Sequence, residues 1–154
     1  MNAVRRSLLR GAGSAGAISI AIAAGLLKPT QVMAAWNESG FDAKSVADAM
    51  AAIGAGGAVN SKEVLIKTPD IAENGAVVPV DVVTDLPNVE SIALFGEKNT
   101  FPLVGQYNLT DFDGLLTTRI KLGTTSNVRA VVKAGGKYYT ATKEVKVTLG
   151  GCGG

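Results

Sequence analysis

The chain has 154 residues, of which 47% are hydrophobic and 18% charged, a balance that fits one globular domain and argues against a fibrous or wholly disordered protein. Its formal charge of +2 comes from the front: Arg5, Arg6, Arg10 and Lys28 all lie in the first 34 residues, where there is no acid. Taking those four from the 15 bases leaves 11 against 13 acids, a weakly acidic body of net −2 without a run of Lys or Arg. That argues against nucleic-acid binding, which needs a basic face to follow phosphates.

The opening "VRRSLLRGAGSAGAISIAIAAGLLKPTQVMA" has a basic start, a modestly apolar stretch from Gly11 to Leu27, and Val32-x-Ala34 as a small-residue cleavage site. It reads as an export signal over residues 1–34. A membrane anchor needs about 20 strongly apolar residues, and Gly and Ser dilute this segment. Arg5 and Arg6, followed by Ser7, Leu8, Leu9 and Arg10, resemble the bacterial twin-arginine signal, from whose usual form Val4, Leu8 and Arg10 depart. The expected destination is the periplasm.

The next segment, "FDAKSVADAMAAIGAGG", places Val46, Met50 and Ile53 at helical spacing. A short amphipathic helix is expected, with Asp42 as N-cap, Phe41 and Val46 as a hydrophobic staple, and the glycines after Ile53 as its stop. From Glu63 the period changes to two. Seven strands are predicted: "EVLIKT", "AVVPVDVVT", "ESIALFG", "VGQYN", "LLTTRIKL", "NVRAVVKA" and "KYYTATKEVKVTL". They imply an all-β, antiparallel β-sandwich over residues 35–149, counting the short N-terminal helix.

Ala134-Gly135-Gly136-Lys137 predicts a two-residue hairpin, because paired glycines accept the positive φ of primed turns. In the strand that follows, Val145, Val147 and Leu149 share one face, which makes Leu149 the expected last core anchor. Pro79 lacks the N–H a ladder needs, which places its strand at an edge or bulge. Such an edge is where another subunit is expected to dock.

There is no histidine, which removes the commonest general base and metal ligand. Cys-His catalysis and zinc sites built on those two ligands are excluded. No phosphate-cradling or haem-attachment motif is present, and no metal or cofactor is expected. Asp111 and Asp113 in "TDFDG" lack the remainder of a calcium loop and are read as a turn.

What remains is "TLGGCGG" at residues 148–154, with the single cysteine, Cys152, between Gly150-Gly151 and Gly153-Gly154. Beyond Leu149 only the cysteine has a side chain, so residues 150–154 are expected to be a thin, flexible arm. Three residue steps from Leu149 reach roughly 10 Å, enough for the thiol to enter a narrow pocket in another protein. Nothing beside it lowers its pKa. Activation must then come from a partner's active site. In an oxidising compartment two readings stay open: a thiol that carries a group, or a structural or adhesive sandwich that uses Cys152 for an intermolecular disulfide.

The signal, the segment "PDIAENGAVVPVDV" from Pro69 to Val82, and the terminal "GGCGG" together resemble SoxY, a subunit of the bacterial sulfur-oxidising (Sox) system. The resemblance implies an immunoglobulin-like sandwich that forms a heterodimer with SoxZ, which lacks a signal of its own and is exported in the complex. It implies a periplasmic, non-catalytic carrier that holds sulfur on Cys152, with Gly150, Gly151, Gly153 and Gly154 as a swinging arm. The haem-containing SoxAX would join thiosulfate to Cys152, SoxB would release sulfate, and SoxCD, where present, would oxidise the remaining sulfur. The segment Ile71 to Val82 is the expected meeting edge for SoxZ, on account of Pro79 and the apolar run around it.

Overall fold

A computed structural model describes residues 37–148. The export signal with Arg5 and Arg6, the core anchor Leu149, and the arm with Cys152 lie outside the described residues. Two short helices, α1 (Glu38–Asp42) and α2 (Val46–Ala52), precede nine strands. These are β1 (Val59–Asn60), β2 (Val64–Lys67), β3 (Ile71–Ala72), β4 (Val78–Thr84), β5 (Val89–Gly96), β6 (Leu103–Asn108), β7 (Leu115–Ile120), β8 (Ser126–Ala134) and β9 (Lys137–Val147). The larger sheet runs β1-β9-β8-β5-β6, with β3 also on β9, and the smaller runs β2-β4-β7. Among the described residues the chain crosses between the sheets six times, four of them by β5, which is how a sandwich closes around one core.

All seven predicted strands are present, and the alternation that predicted them points one face of each sheet inward. Val78, Val80 and Val82 of β4 meet Ile92 and Leu94 of β5 and Val128 and Val132 of β8, all at 0% exposure. β5 departs from alternation, since Ile92 through Phe95 are all buried. The cause is a second apolar layer: Ala93, Phe95 and Val131 pack on the other side of the larger sheet against Ala49, Ala55 and Leu103, with Met50 and Ile53 beside them. Tyr138 donates from its hydroxyl to the Ile53 carbonyl at 2.9 Å, pinning the end of α2 to β9. Truncating Phe95 to Ala at that doubly covered site costs about 3–5 kcal/mol by the usual cavity penalty.

The hairpin is as predicted. Ala134 pairs with Lys137, and Gly135 and Gly136 take φ of 55° and 74°, the two left-handed values of a type I′ turn.

Two local expectations are corrected. Asp42 is not the N-cap of the amphipathic helix but the last residue of α1, whose cap is Asn37. Ser45 caps α2, accepting from the Asp48 amide at 3.1 Å while its hydroxyl donates to the Asp48 carboxylate at 2.6 Å. This reciprocal cap outcompetes an Asp three residues earlier. Phe41 and Val46 still meet the same apolar layer, without the spacing of a staple.

Pro79 is likewise not in an edge strand. Its strand, β4, is the centre of the smaller sheet, with Pro79 opposite Arg119 of β7. β2 pairs with β4 only as far as Lys67 opposite Asp81, so Pro79 lies past the end of that ladder. There the Thr68 hydroxyl donates to the Pro79 carbonyl at 2.9 Å. A strand residue's N–H and C=O face the same neighbour, so the missing N–H falls where no β2 backbone waits for it.

Candidate functional site

The site of interest is the end of β9, from which the chain continues towards Cys152. Each side of this strand is held in turn. On the β3 side, Lys146 donates its amide to the Asp70 carbonyl at 2.9 Å and Thr148 donates to the Ala72 carbonyl at 3.0 Å, the slanted pattern of a parallel pair. On the other side the β8 ladder begins at Ser126 opposite Val145. The Thr125 hydroxyl extends it one step by accepting from the Val147 amide at 3.0 Å. Lys143 adds an ion pair to Asp70 at 3.0 Å and a hydrogen bond to the Thr68 carbonyl at 2.7 Å.

The segment "PDIAENGAVVPVDV" thus does two jobs. Its first half, through β3, braces the root of the arm; its second half is the central strand of the smaller sheet. Gly75 sits between them, accepting from the Leu122 amide at 2.7 Å. A Cβ on Gly75 would lie 2.4 Å from the Leu122 carbonyl oxygen and 2.8 Å from a Val147 methyl. Only glycine permits this approach of backbone to strand end.

Beside the root, at the same end of the sandwich, is an open pocket of about 650 Å³. Its walls come from residues 98–101, between β5 and β6, from Val104 of β6, and from the end of β7 with the loop to β8. Asn99 ties these together: its side-chain amide donates to the Lys121 carbonyl at 2.8 Å and its oxygen accepts from the Gly123 amide at 3.0 Å. Lys98, Arg119 and Lys121 line the pocket along with Phe101, Gly123 and Thr124, and no Asp or Glu does. Phe101 carries the Lys44 ammonium 3.4 Å from its ring centroid.

None of these three cations was singled out by sequence reasoning. Lys98 and the neighbours Arg119 and Lys121 come from separate stretches with no basic run, and only closure of the sandwich brings Lys98 to the other two. Asp111 and Asp113 are exposed, and Asp111 and Gly114 have φ of 52° and 95°, so "TDFDG" is a turn as read. Among the described residues no three His, Cys, Asp or Glu side chains are grouped to hold a metal ion. The described geometry is that of a rigid mount for a strand end, with unpaired positive charge beside it.

A β-sandwich that grips its last strand from both sides as far as Thr148 defines a scaffold with a fixed strand end. Residues 49–152 match the family described as "Sulfur oxidation protein SoxY". The sulfur carrier protein SoxY from Chlorobium limicola f thiosulfatophilum is 38% identical, superposes with a TM-score of 0.62, and is covered over 99% of its length by 73% of this chain. The chain therefore belongs to the SoxY family, whose members are non-catalytic carrier subunits of sulfur oxidation. A superoxide reductase (neelaredoxin) from Ignicoccus hospitalis is 20% identical with a TM-score of 0.48, over 55% of this chain and 79% of that one. No curated protein sequence matches.

Proposed function

We propose that the protein is a periplasmic covalent carrier of sulfur intermediates in thiosulfate oxidation, with Cys152 as the attachment point and Gly150, Gly151, Gly153 and Gly154 as its flexible arm. The observation that carries this reading is the family match, which continues through the strand end to residue 152. The double grip on β9 supports it, because a swinging group is useful only if its pivot is fixed. Export by the twin-arginine route, for which Arg5 and Arg6 speak, lets a folded partner travel with the chain.

In the proposed cycle SoxAX removes two electrons as the Cys152 sulfur bonds to the outer sulfur of thiosulfate, and the thiol proton leaves. The product is a cysteine S-thiosulfonate. SoxB adds water across the terminal S–S bond, releasing sulfate and leaving a persulfide on Cys152, which SoxCD oxidises further where it is present. This chain supplies no acid or base to these steps. Its contribution is to position and present the sulfur.

SoxZ is the proposed stable partner. Because β4 is central, the surface proposed for it is the outer face of the smaller sheet rather than an edge. There Leu65, Val83 and Leu115 lie in register across β2, β4 and β7, with Leu65 and Leu115 54% and 50% exposed. An apolar row of this kind is what a partner covers.

The decisive experiment is intact-mass analysis of the protein from thiosulfate-grown cells. Reducible sulfur adducts are expected on Cys152, and a Cys152→Ser strain should lose thiosulfate oxidation. A chain that never carries such adducts, or a mutant strain with normal oxidation, would overturn the reading.

A further inference from the structure

Three ion pairs form among the described residues. Arg129 pairs with Glu97 at 2.6 Å, Lys133 with Glu90 at 2.6 Å, and Lys143 with Asp70 at 3.0 Å. Lys98, Arg119 and Lys121 have no acidic partner among the described residues, and they converge on one pocket. Glu97, next to Lys98 in the chain, is already committed to Arg129 and to the Asn127 side chain at 3.0 Å. The convergence is maintained by Asn99, which bonds the backbone on both sides of Leu122. Three like charges held together without a counter-charge are an arrangement that waits for an anion.

The position narrows which anion. Thr124 lines the pocket, and its neighbour Thr125 is bonded directly to Val147 at the arm's root. Cys152 is four residues beyond Thr148, a span of up to about 14 Å when extended. The pocket is thus within the arm's reach. We propose that it is a sulfur-oxyanion site that seats the sulfonate end of the group carried on Cys152; the identity of this occupant rests on the carrier reading.

The tether explains why exposed cations suffice. Lys98, Arg119 and Lys121 are all exposed, so water and salt screen them and a free anion binds weakly. A group on a short flexible linker is present at an effective concentration in the millimolar range. The tethered oxyanion therefore fills a site that dilute free thiosulfate or sulfate leaves mostly empty. When sulfate is released and a persulfide remains, the sulfonate with its three acceptor oxygens is gone, and a single sulfur no longer spans the three cations. Occupancy then follows the oxidation state of the cargo.

The test is amide NMR of the isolated protein, with Cys152 loaded by tetrathionate. The thiolate displaces thiosulfate from the central S–S bond and keeps the S–SO3− half. Loading should shift the Lys98, Lys121, Gly123 and Thr124 amides. A Lys98→Gln, Arg119→Gln, Lys121→Gln triple variant that melts like the parent should lose those shifts. Neutral alkylation of Cys152 with iodoacetamide should leave the same amides in place. Free thiosulfate titrated into Cys152→Ser protein should move them only at millimolar concentration, at least tenfold more weakly in the triple variant.

Shifts confined to Val147 and Thr148, shifts that survive in the triple variant, or equal shifts with the neutral adduct would each overturn the site. Saturation by micromolar free thiosulfate would make the free anion the occupant and overturn the seat for the tethered group. If cells never load Cys152 but the chemically loaded protein shows the pocket shifts, the site stands and the carrier reading falls. Loaded Cys152 in cells without pocket shifts in the loaded protein removes the site alone.

Discussion

The two ends of the sandwich use charge differently. At the hairpin end, Glu90 uses both carboxylate oxygens: one accepts from the Gly136 amide at 2.8 Å, the other pairs with Lys133 at 2.6 Å. Charge there closes a turn. At the arm end one ion pair, Lys143 with Asp70, braces the strand from the side, but its last residues and the neighbouring loops are held by neutral groups, the Thr125 hydroxyl, the Asn99 amide and the Gly75 carbonyl, while Lys98, Arg119 and Lys121 are left without acids among the described residues. An end that only has to turn the chain can consume its charges in pairs. An end that presents a group does better to fix its geometry with neutral bonds and keep charge available.

The largest test of this contrast is Gly75→Ala. The new methyl collides with the Leu122 carbonyl and a Val147 methyl, so either the brace or the strand end must move. Overpacking of this kind should cost about 3 kcal/mol and lower the melting temperature by roughly 10 °C. Hydrogen exchange should speed up at Lys146 and Thr148 more than at Gly136. If both ends loosened equally, the arm root would not be a separately braced unit.

Thr125→Val is the gentler version. It deletes the hydroxyl that receives the Val147 amide but keeps the side-chain shape, and should cost about 1 kcal/mol. Exchange at Val147 is the measurement. An unchanged Val147 amide would mean that Asp70 and Ala72 hold the strand end without help from the other side.

How much of this was legible beforehand depended on whether a feature was local. The hairpin at Gly135-Gly136 and the seven long strands were, because turn chemistry and two-residue alternation sit in neighbouring residues. β1 and β3 were not, since two residues carry no period; both exist because β9 has a free side that Val59–Asn60 and Ile71–Ala72 partly cover. Pro79 was misread for a related reason. Proline excludes a ladder bond on one side only, and a strand can be central while one neighbour has already ended. The segment Pro69 to Val82 was legible as distinctive but not as a brace, because the contacts from Asp70 and Ala72 to β9 and from Gly75 to Leu122 span 47 residues or more of sequence. The cationic pocket was the least legible part, since nothing in sequence links Lys98 to Arg119 and Lys121.

The smallest expected effect belongs to the hairpin end. Lys133, and after it the Gly136 amide, hold the Glu90 carboxyl below its ordinary value of 4.5. In return Glu90 raises the Lys133 ammonium above its ordinary 10.5. Glu90's contribution to stability is therefore complete above about pH 4.5 and is lost as pH falls through its lowered value. Lys133's contribution is complete below about pH 10.5 and is lost as pH rises through its raised value. Both side chains are well exposed, at 43% and 33%, so solvent and salt keep the effect small. Glu90→Gln should leave the fold and the arm root unchanged at neutral pH, make the Gly136 amide exchange somewhat faster, and flatten the acid-side decline in its protection. An acid-side decline as steep in the variant as in the parent would assign that slope to other carboxylates. A variant that also loosened Val147 and Thr148 would show that the two ends are coupled along β9, and the contrast between them would fail.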